Sequence, residues 1–184
     1  MTLLPRFREL ERALLHDRHL LAVHSGVPFL VLVYPPEQER LCRELQAELM
    51  EKLRARGTPV IEHRLDTFIF DYYEQRIKDR GGVGRIFQLE REDPDALRRM
   101  VSGIYEDELV NRILATASRA EPKGAIFLTH VGAMYPFGRI SNLLMTLENR
   151  ITLPLVVFYP GTEVKGQLSF LGLEQHTGYR ARVI

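Results

Sequence analysis

The feature that most constrains this chain is a set of short segments that are apolar at nearly every position. Val27–Tyr34 reads VPFLVLVY, Ala125–Val131 reads AIFLTHV, and Leu155–Tyr159 reads LVVFY. Continuous apolar runs of this length are typical of parallel strands that are buried on both faces of a sheet. Segments of helical periodicity separate them, and this alternation predicts right-handed crossovers. The sequence therefore predicts an α/β fold, a three-layer, mostly parallel sheet with helices on both faces.

The boundaries of the other elements follow from periodicity, prolines and glycines. Helices are predicted over residues 3–21, from Pro36 to Gly57, from Asp66 to Ile77, from Asp93-Pro94 onward, and over residues 139–150. Further strands are predicted over residues 59–65 and 179–184, and residues 166–172 are predicted to be irregular or a short strand. We expect Gly81, Gly82 and Gly84 to form a surface loop, and Pro160-Gly161 to end the fourth strand.

Composition is that of an ordinary globular protein. The 184 residues fit one domain, which we assign to residues 1–184. A net charge of +1, from 25 basic and 24 acidic residues, argues against a general nucleic-acid-binding surface. Cys42 is the only cysteine in the sequence, so no disulfide can form within the chain. Neither a signal-peptide pattern nor an apolar run of membrane-spanning length is visible, and we expect a cytoplasmic protein.

The end of the first predicted strand is where a phosphate-binding loop would lie. Such a loop requires glycines whose N–H groups turn inward, a lysine, and a hydroxyl for the magnesium ion. This chain has Pro35 and Pro36 there, which remove N–H donors, and Glu37 and Glu39, which repel phosphate. The order of elements is compatible with a P-loop-NTPase-like fold. The phosphate loop itself is missing, and its absence argues against standard ATP hydrolysis.

A group of polar residues follows the third and fourth predicted strands. The candidate binding residues are Thr129, His130, Gly132, Tyr135, Pro136, Arg139, Asn142, Tyr159, Pro160 and Gly161. One interpretation places them around a shared pocket at the strand ends, in which Arg139 pairs with an anion. The other, commoner for such a pattern, makes His130 a core or strand-end residue and Tyr135-Pro136 a loop that fills space. No complete catalytic or metal-ligand motif is present, so we predict no catalytic residue, no metal and no cofactor.

Arg139 stands near the start of the helix that is predicted over residues 139–150. The positive end of a helix dipole is an unfavourable place for a cation. We therefore expect an acid to compensate for it, either a carboxylate within the fold or an acidic group on another molecule.

The C-terminal third carries the most distinctive pattern of the chain. Its segments are FLTHVGAMYPF at Phe127–Phe137, NLL at Asn142–Leu144, PLVVFYPG at Pro154–Gly161 and YRA at Tyr179–Ala181. In this order the segments resemble the BrxB family, and the early strand that leads into Tyr34-Pro35-Pro36-Glu37 resembles it too. The resemblance covers nearly the whole chain and is densest from residue 125 to 182. Ser141 is a departure, because a histidine is commoner in the family before the asparagine.

The resemblance implies an accessory component of a bacterial BREX phage-resistance system, encoded beside a methyltransferase, an ATPase and a PglZ-type alkaline-phosphatase-like protein. It implies other BREX proteins as partners, the PglZ-type protein foremost, with DNA reached only indirectly through the complex and no membrane contact. It supplies no catalytic residue. We therefore expect a non-enzymatic scaffold that acts through protein–protein contacts. The alternative is a small enzyme, or a sensor of nucleotides or anions, that uses a strand-end pocket at residues 129–142 and 159–161.

Overall fold

The secondary structure comes from a computed structural model that describes residues 2–76, 78, 81–164, 167–170, 174–176 and 180–184. The helices of this part are α1 (Leu3–Leu15), α2 (Leu21–Ser25), α3 (Glu39–Ala55), α4 (Leu65–Arg76), α5 (Gly82–Glu92), α6 (Pro94–Ala117) and α7 (Ile140–Leu147). The strands are β1 (Phe29–Tyr34), β2 (Val60–Arg64), β3 (Ala125–Thr129), β4 (Leu155–Val164), β5 (Gln167–Phe170), β6 (Glu174–His176) and β7 (Arg182–Val183). Short 3-10 turns lie at Arg18–Leu20, Pro36–Gln38 and Val131–Met134.

Five of the strands form a parallel sheet in the order β2-β3-β4-β1-β7. From β1 the chain passes to β2 at the far edge and then returns through β3 and β4. Because crossovers between parallel strands are right-handed, this reversal places the connecting helices on opposite faces. Helices α1 and α3 cover one face, and α4 to α7 cover the other. The predicted three-layer, mostly parallel α/β architecture is confirmed.

The central strands are buried on both faces, as their continuous apolar sequences predict. Every residue of β1 and of β3 is buried. Phe29 and Val31 of β1 point toward helices α4 to α7, whereas Leu30 and Leu32 point toward α1 and α3. Side chains alternate between the faces of a strand, so one apolar run contributes to two hydrophobic clusters at once.

Helix α5 occupies residues for which the sequence predicted a surface loop, and that prediction was wrong. Gly81 and Gly82 have φ angles of +104° and +48°, a region that favours glycine, and the helix begins at Gly82. Ile86 and Leu89 are buried in the cluster on the α4–α7 face. Burial of these two side chains outweighs the low helix propensity of the glycines.

Strand β4 does not end at Pro160-Gly161, as the sequence predicted, but continues to Val164 and pairs there with β5. Gly161 is required at this point, because an added Cβ would lie 2.1 Å from the carbonyl oxygen of Ser169. Strand β6 then adds to the other side of β5.

Other boundaries differ from the predicted ones by shorter stretches. The first predicted helix is divided into α1, a 3-10 turn and α2, and the helix predicted over residues 139–150 is limited to Ile140–Leu147. The last strand is confirmed only at Arg182–Val183. The predictions for Ile77, Gly166, Gly172 and Tyr179 lie outside the described residues. In the part of the chain that is described, no helix combines the length and the hydropathy needed to cross a bilayer.

His63 is a buried polar side chain in β2. It is 9% exposed, and its Nε2 atom has no hydrogen-bond partner among the described residues. Burial, assisted by the positive charge of Arg112, lowers the pKa of His63 to about 4. The folded chain therefore favours a neutral imidazole, and protonation of His63 opposes folding.

The pKa of His63 predicts how stability depends on pH. Below pH ~6.5 the unfolded chain binds a proton at this histidine, whereas the folded chain does not until the pH approaches 4. The neutral state of buried His63 therefore costs nothing above pH ~6.5. As the pH falls below that value, the free energy of unfolding decreases, by about 3 kcal/mol in all. Chemical denaturation at several pH values is expected to show this slope in the wild type and a shallower slope in His63→Leu. Leu53→Ala, which shortens another buried side chain, should be less stable and keep the slope; equal slopes in wild type and His63→Leu would contradict the prediction.

Candidate functional site

A crevice of about 310 Å³ opens at the carboxyl ends of the central strands. Its lining residues are Pro36, Glu39, Arg43, Asp66, His130, Gly132, Ala133 and Pro160. They follow β1, β2 and β3 along the chain or belong to β4. From the adjacent strands β1 and β4 the chain leaves in opposite directions along the sheet. This is the switch point at which open α/β sheets bind ligands.

Side chains at the start of α3 form one wall of the crevice, and their charged and polar groups are hydrogen-bonded to one another. The Tyr34 hydroxyl donates a hydrogen bond to Glu39 Oε2, and Arg43 Nε donates to Glu39 Oε1 at 2.7 Å. Burial, followed by the hydrogen bond to Glu39, raises the pKa of Tyr34, so the hydroxyl remains a donor at neutral pH. The segment that would hold phosphate therefore presents two prolines and a carboxylate that is already hydrogen-bonded.

His130 stands at the opposite wall, directly after β3, with a φ angle of +56°. Its Nδ1 atom lies 3.2 Å from Thr129 Oγ1 and 3.8 Å from Asp66 Oδ1. Thr129 in turn donates to Glu62 Oε1 at 2.7 Å, and Arg64 donates to the two oxygens of Asp66 at 3.2 and 2.8 Å. The hydrogen bond from Arg64 holds the pKa of Asp66 below its ordinary value. Burial lowers the pKa of His130, against the attraction of Asp66.

This arrangement of threonine, histidine and aspartate does not form a catalytic triad. In a triad, one imidazole nitrogen faces the nucleophile and the other faces the acid. Here the single atom Nδ1 of His130 faces both Thr129 and Asp66. Thr129 is also fully buried and donates its hydroxyl proton to Glu62. The described residues contain no group of three or more histidine, cysteine, aspartate or glutamate side chains suited to a metal ion.

A second cavity, of about 300 Å³, lies between α6, the segment that leads into α7, and the β4–β5 hairpin. It is lined by Ser102, Glu106, Asn142, Tyr159, Phe170 and the consecutive residues 134–140. The Tyr135-Pro136 peptide bond is cis, and the Tyr135 side chain is 43% exposed. Tyr159 is buried, with its ring packed edge-on against Phe170 at 5.2 Å. The cavity thus combines polar and aromatic side chains, and one aromatic side chain at its rim is exposed to solvent.

The start of α7 meets a carboxylate that is contributed by α6. Glu106 Oε1 accepts a hydrogen bond of 2.6 Å from the backbone N–H of Arg139, and Asn142 Nδ2 lies 3.4 Å from Glu106 Oε2. A carboxylate at the first turn is favourable because that end of the helix dipole is positive. Glu106 is therefore an acid within the fold that compensates for this helix start through the backbone of Arg139, and an acidic partner for the Arg139 guanidinium stays a prediction.

The structure places eight of the ten candidate residues in the lining of one or the other cavity. His130, Gly132 and Pro160 line the crevice, whereas Tyr135, Pro136, Arg139, Asn142 and Tyr159 line the second cavity. Thr129 is buried next to His130, and Gly161 pairs with Phe170 in the β4–β5 ladder. The shared pocket of the first interpretation is therefore not formed.

Four charged residues of these sites were not among the candidates. Glu39, Arg43 and Asp66 could have been found from the parallel topology, which brings the segments after β1, β2 and β3 to one edge of the sheet. Glu106 had no comparable signal, because it is 33 residues from Arg139 and lies within a long helix.

Glu106 is expected to stabilise the start of α7. Glu106→Ala removes both the acceptor and the negative charge, and should lower the free energy of unfolding by about 1–2 kcal/mol, as for the loss of a helix cap. Glu106→Gln keeps an acceptor and should cost less. Asp107→Ala, at the exposed next position of α6, is the control. Urea denaturation would contradict this role if the Ala variants at positions 106 and 107 were equally stable.

Comparison with known proteins adds independent evidence. The family model described as BREX protein BrxB matches residues 65–184. A BREX protein BrxB of Bacillus cereus (strain H3081.97) is 26% identical over 167 residues, which cover 85% of this chain and 83% of that protein. No solved structure matches, so the relation to P-loop NTPases stays a prediction. Since the family model covers well over half of the chain, the chain belongs to the BrxB family.

Proposed function

We propose that this chain is a non-enzymatic, cytoplasmic scaffold component of a BREX phage-defence complex and that it acts through protein–protein contacts. Membership of the BrxB family makes it a component of a BREX system. The observation that carries the non-enzymatic role is that the charged groups at the switch-point crevice are paired with one another.

The pairing leaves few groups for chemistry on a substrate. Glu39 is held by Arg43 at 2.7 Å, and Asp66 is held by Arg64 at 2.8 Å. A general base must accept a proton from its substrate, and Asp66 is a poor acceptor because the hydrogen bond from Arg64 lowers its pKa. A phosphate group would instead need N–H donors, yet prolines and carboxylates occupy this helix start. These contacts support an architectural role for the crevice.

Exposed apolar side chains near the second cavity support a role in protein binding. Tyr135 at its rim is 43% exposed, and Met145 on α7 is 51% exposed. Tyrosine and methionine are enriched at protein–protein interfaces relative to the remaining surface. We propose the PglZ-type alkaline-phosphatase-like protein as the first partner, with other BREX proteins, and through them DNA, reached within the complex.

The scaffold function predicts both a physical complex and a phenotype. A tagged chain should co-purify with the PglZ-type protein of the same BREX system, and deletion of its gene should abolish phage restriction. Replacement of both Tyr135 and Met145 by serine should weaken the complex about tenfold or more, because truncation of a central interface residue costs about 1–2 kcal/mol or more. Val23→Ser, at an exposed site on α2, is the control.

Two results together would overturn the scaffold function. These are the absence of every BREX protein from the purified material and unchanged phage restriction after deletion. Melting temperatures of the serine variants should equal that of the wild type, which separates a lost contact from a lost fold.

The crevice itself supports a second candidate function, a sensor of nucleotides or anions. It has a volume of about 310 Å³, lies at the switch point, and includes Arg43 and His130 in its lining. Glu39 and Asp66 line the same space, and their negative charge opposes an anionic ligand. The geometry therefore favours the scaffold over the sensor.

Thermal-shift measurements can distinguish the two functions. ATP with magnesium, and inorganic phosphate, are expected to leave the melting temperature unchanged, because the crevice acids repel them. A ligand at a hundredfold excess over its Kd would add about 2.7 kcal/mol to the stability, which is readily detected. A shift that is lost in Arg43→Ala but kept in Arg40→Ala, on an exposed neighbouring position of α3, would establish the sensor instead.

A further inference from the structure

Strand β2 is an edge of the parallel sheet, because it pairs with β3 and with no other strand in the described part of the chain. The N–H of Ala125 donates to the carbonyl of Pro59, and Val60 is aligned with Ala125. In a parallel ladder the hydrogen bonds of one strand go alternately to its two sides. Residues 59, 61 and 63 therefore bond to β3, whereas the backbone groups of Val60 and Glu62 point outward from the sheet.

A groove runs beside this free edge, on the face covered by α6. It has a volume of about 380 Å³ and is lined by Ile61, Arg112, Ala115, Thr116, Arg119 and Ala120. The apolar and small residues form a surface on which side chains of an added strand could pack. Glu62 is exposed at the opposite face, where it accepts the hydrogen bond from Thr129, so its charge lies outside the groove.

The charge of the groove is positive. Its lining includes two arginines and no acid. Arg112 is held in place by the ring of Phe68, 4.7 Å from its guanidinium carbon, and by a long contact of 3.8 Å to Asp71. Arg119 is exposed in the turn that follows the end of this helix at Ala117, and it forms no salt bridge with a described acid. Arginines in such a position favour carboxylates as ligands.

We propose that the free edge of β2 accepts an extended, acidic segment of a partner protein as an additional strand, whose carboxylates pair with Arg112 and Arg119. Main-chain hydrogen bonds to Val60 and Glu62 would supply affinity, and alternate side chains would supply specificity, as in other cases of strand addition. The inference rests on the proposed function, since it names where a protein partner attaches.

The spacing of the arginines defines the kind of segment that fits. Arg112 lies five residues before the end of α6, which is about 7.5 Å along the axis at ~1.5 Å per residue, and Arg119 lies two residues beyond that end. Residues on one face of a strand recur at about 6.6 Å, so carboxylates two or four positions apart can reach both guanidinium groups. The partner segment should therefore alternate acidic residues with apolar or β-branched ones.

A proline at position 62 tests the strand addition directly. The N–H of Glu62 points away from β3, so Glu62→Pro removes an outward donor and leaves the ladder to β3 intact. Glu62→Ala is the matched control, because it also loses the contact with Thr129 but keeps the N–H. Arg119→Glu tests the charge without touching the backbone, and Arg98→Glu, at an exposed position of α6, is its control.

Binding of these variants to the PglZ-type protein gives the first measurement. We expect Glu62→Pro and Arg119→Glu each to raise the Kd at least tenfold, and Glu62→Ala and Arg98→Glu to bind as the wild type does. If the wild type binds and both test variants bind equally well, the edge proposal is wrong and the scaffold function stands.

A synthetic peptide of alternating valine and glutamate gives a measurement that needs no BREX partner. The amides of Val60 and Glu62 should exchange hydrogen at least tenfold more slowly in its presence, and an alternating valine and lysine peptide should have no such effect. If the wild type binds no BREX protein and deletion leaves phage restriction unchanged, the proposed function fails, and this exchange experiment alone decides the edge proposal. Equal exchange with both peptides would refute it.

Discussion

Burial of β1, β3 and β4 on both faces is the constraint on which the rest of the structure depends. Strands that are apolar on both sides must be covered by two layers of helices, and right-handed crossovers fill both layers only if the chain reverses its direction along the sheet. That reversal places the segments after β1, β2 and β3 at one edge of the sheet, where they enclose the crevice. The same path leaves β2 with one unpaired side. The crevice and the free edge are thus both consequences of the core.

The charged residues near the strand ends are paired because removing an unpaired charge from water is costly. Glu39 and Asp66 are partly screened from solvent, and each is held by an arginine a few residues away on the same element or turn. Such short-range pairs satisfy the carboxylates and fix the first turns of α3 and α4. A crevice built this way is suited to holding the fold together, whereas Tyr135, Met145 and the β2 edge leave apolar or hydrogen-bonding groups exposed to other molecules.

How far the sequence predicts this structure depends on how local each signal is. The apolar runs of β1, β3 and β4 are sufficient by themselves to identify these segments as strands. The position of His130 at the end of β3 follows from that assignment. Helix α5 could not be predicted, because its glycines indicate a loop and only the distant core that buries Ile86 and Leu89 makes it helical. The division of the candidate residues between two cavities depends on the 3-10 turn at Val131–Met134, which separates His130 from Tyr135 and the residues that follow it. Glu106 reaches α7 through tertiary structure alone.

The length of strand β4 links the parallel sheet mechanically to the β4–β5 hairpin. Its first half lies between β3 and β1 in the centre of the sheet, and its second half forms one side of the hairpin with β5. One uninterrupted strand therefore joins the two, and Gly161 lets β4 and β5 approach closely just beyond the parallel sheet. A force applied to β5 or β6 is transmitted along β4 to its neighbours β3 and β1, whose residues are all buried.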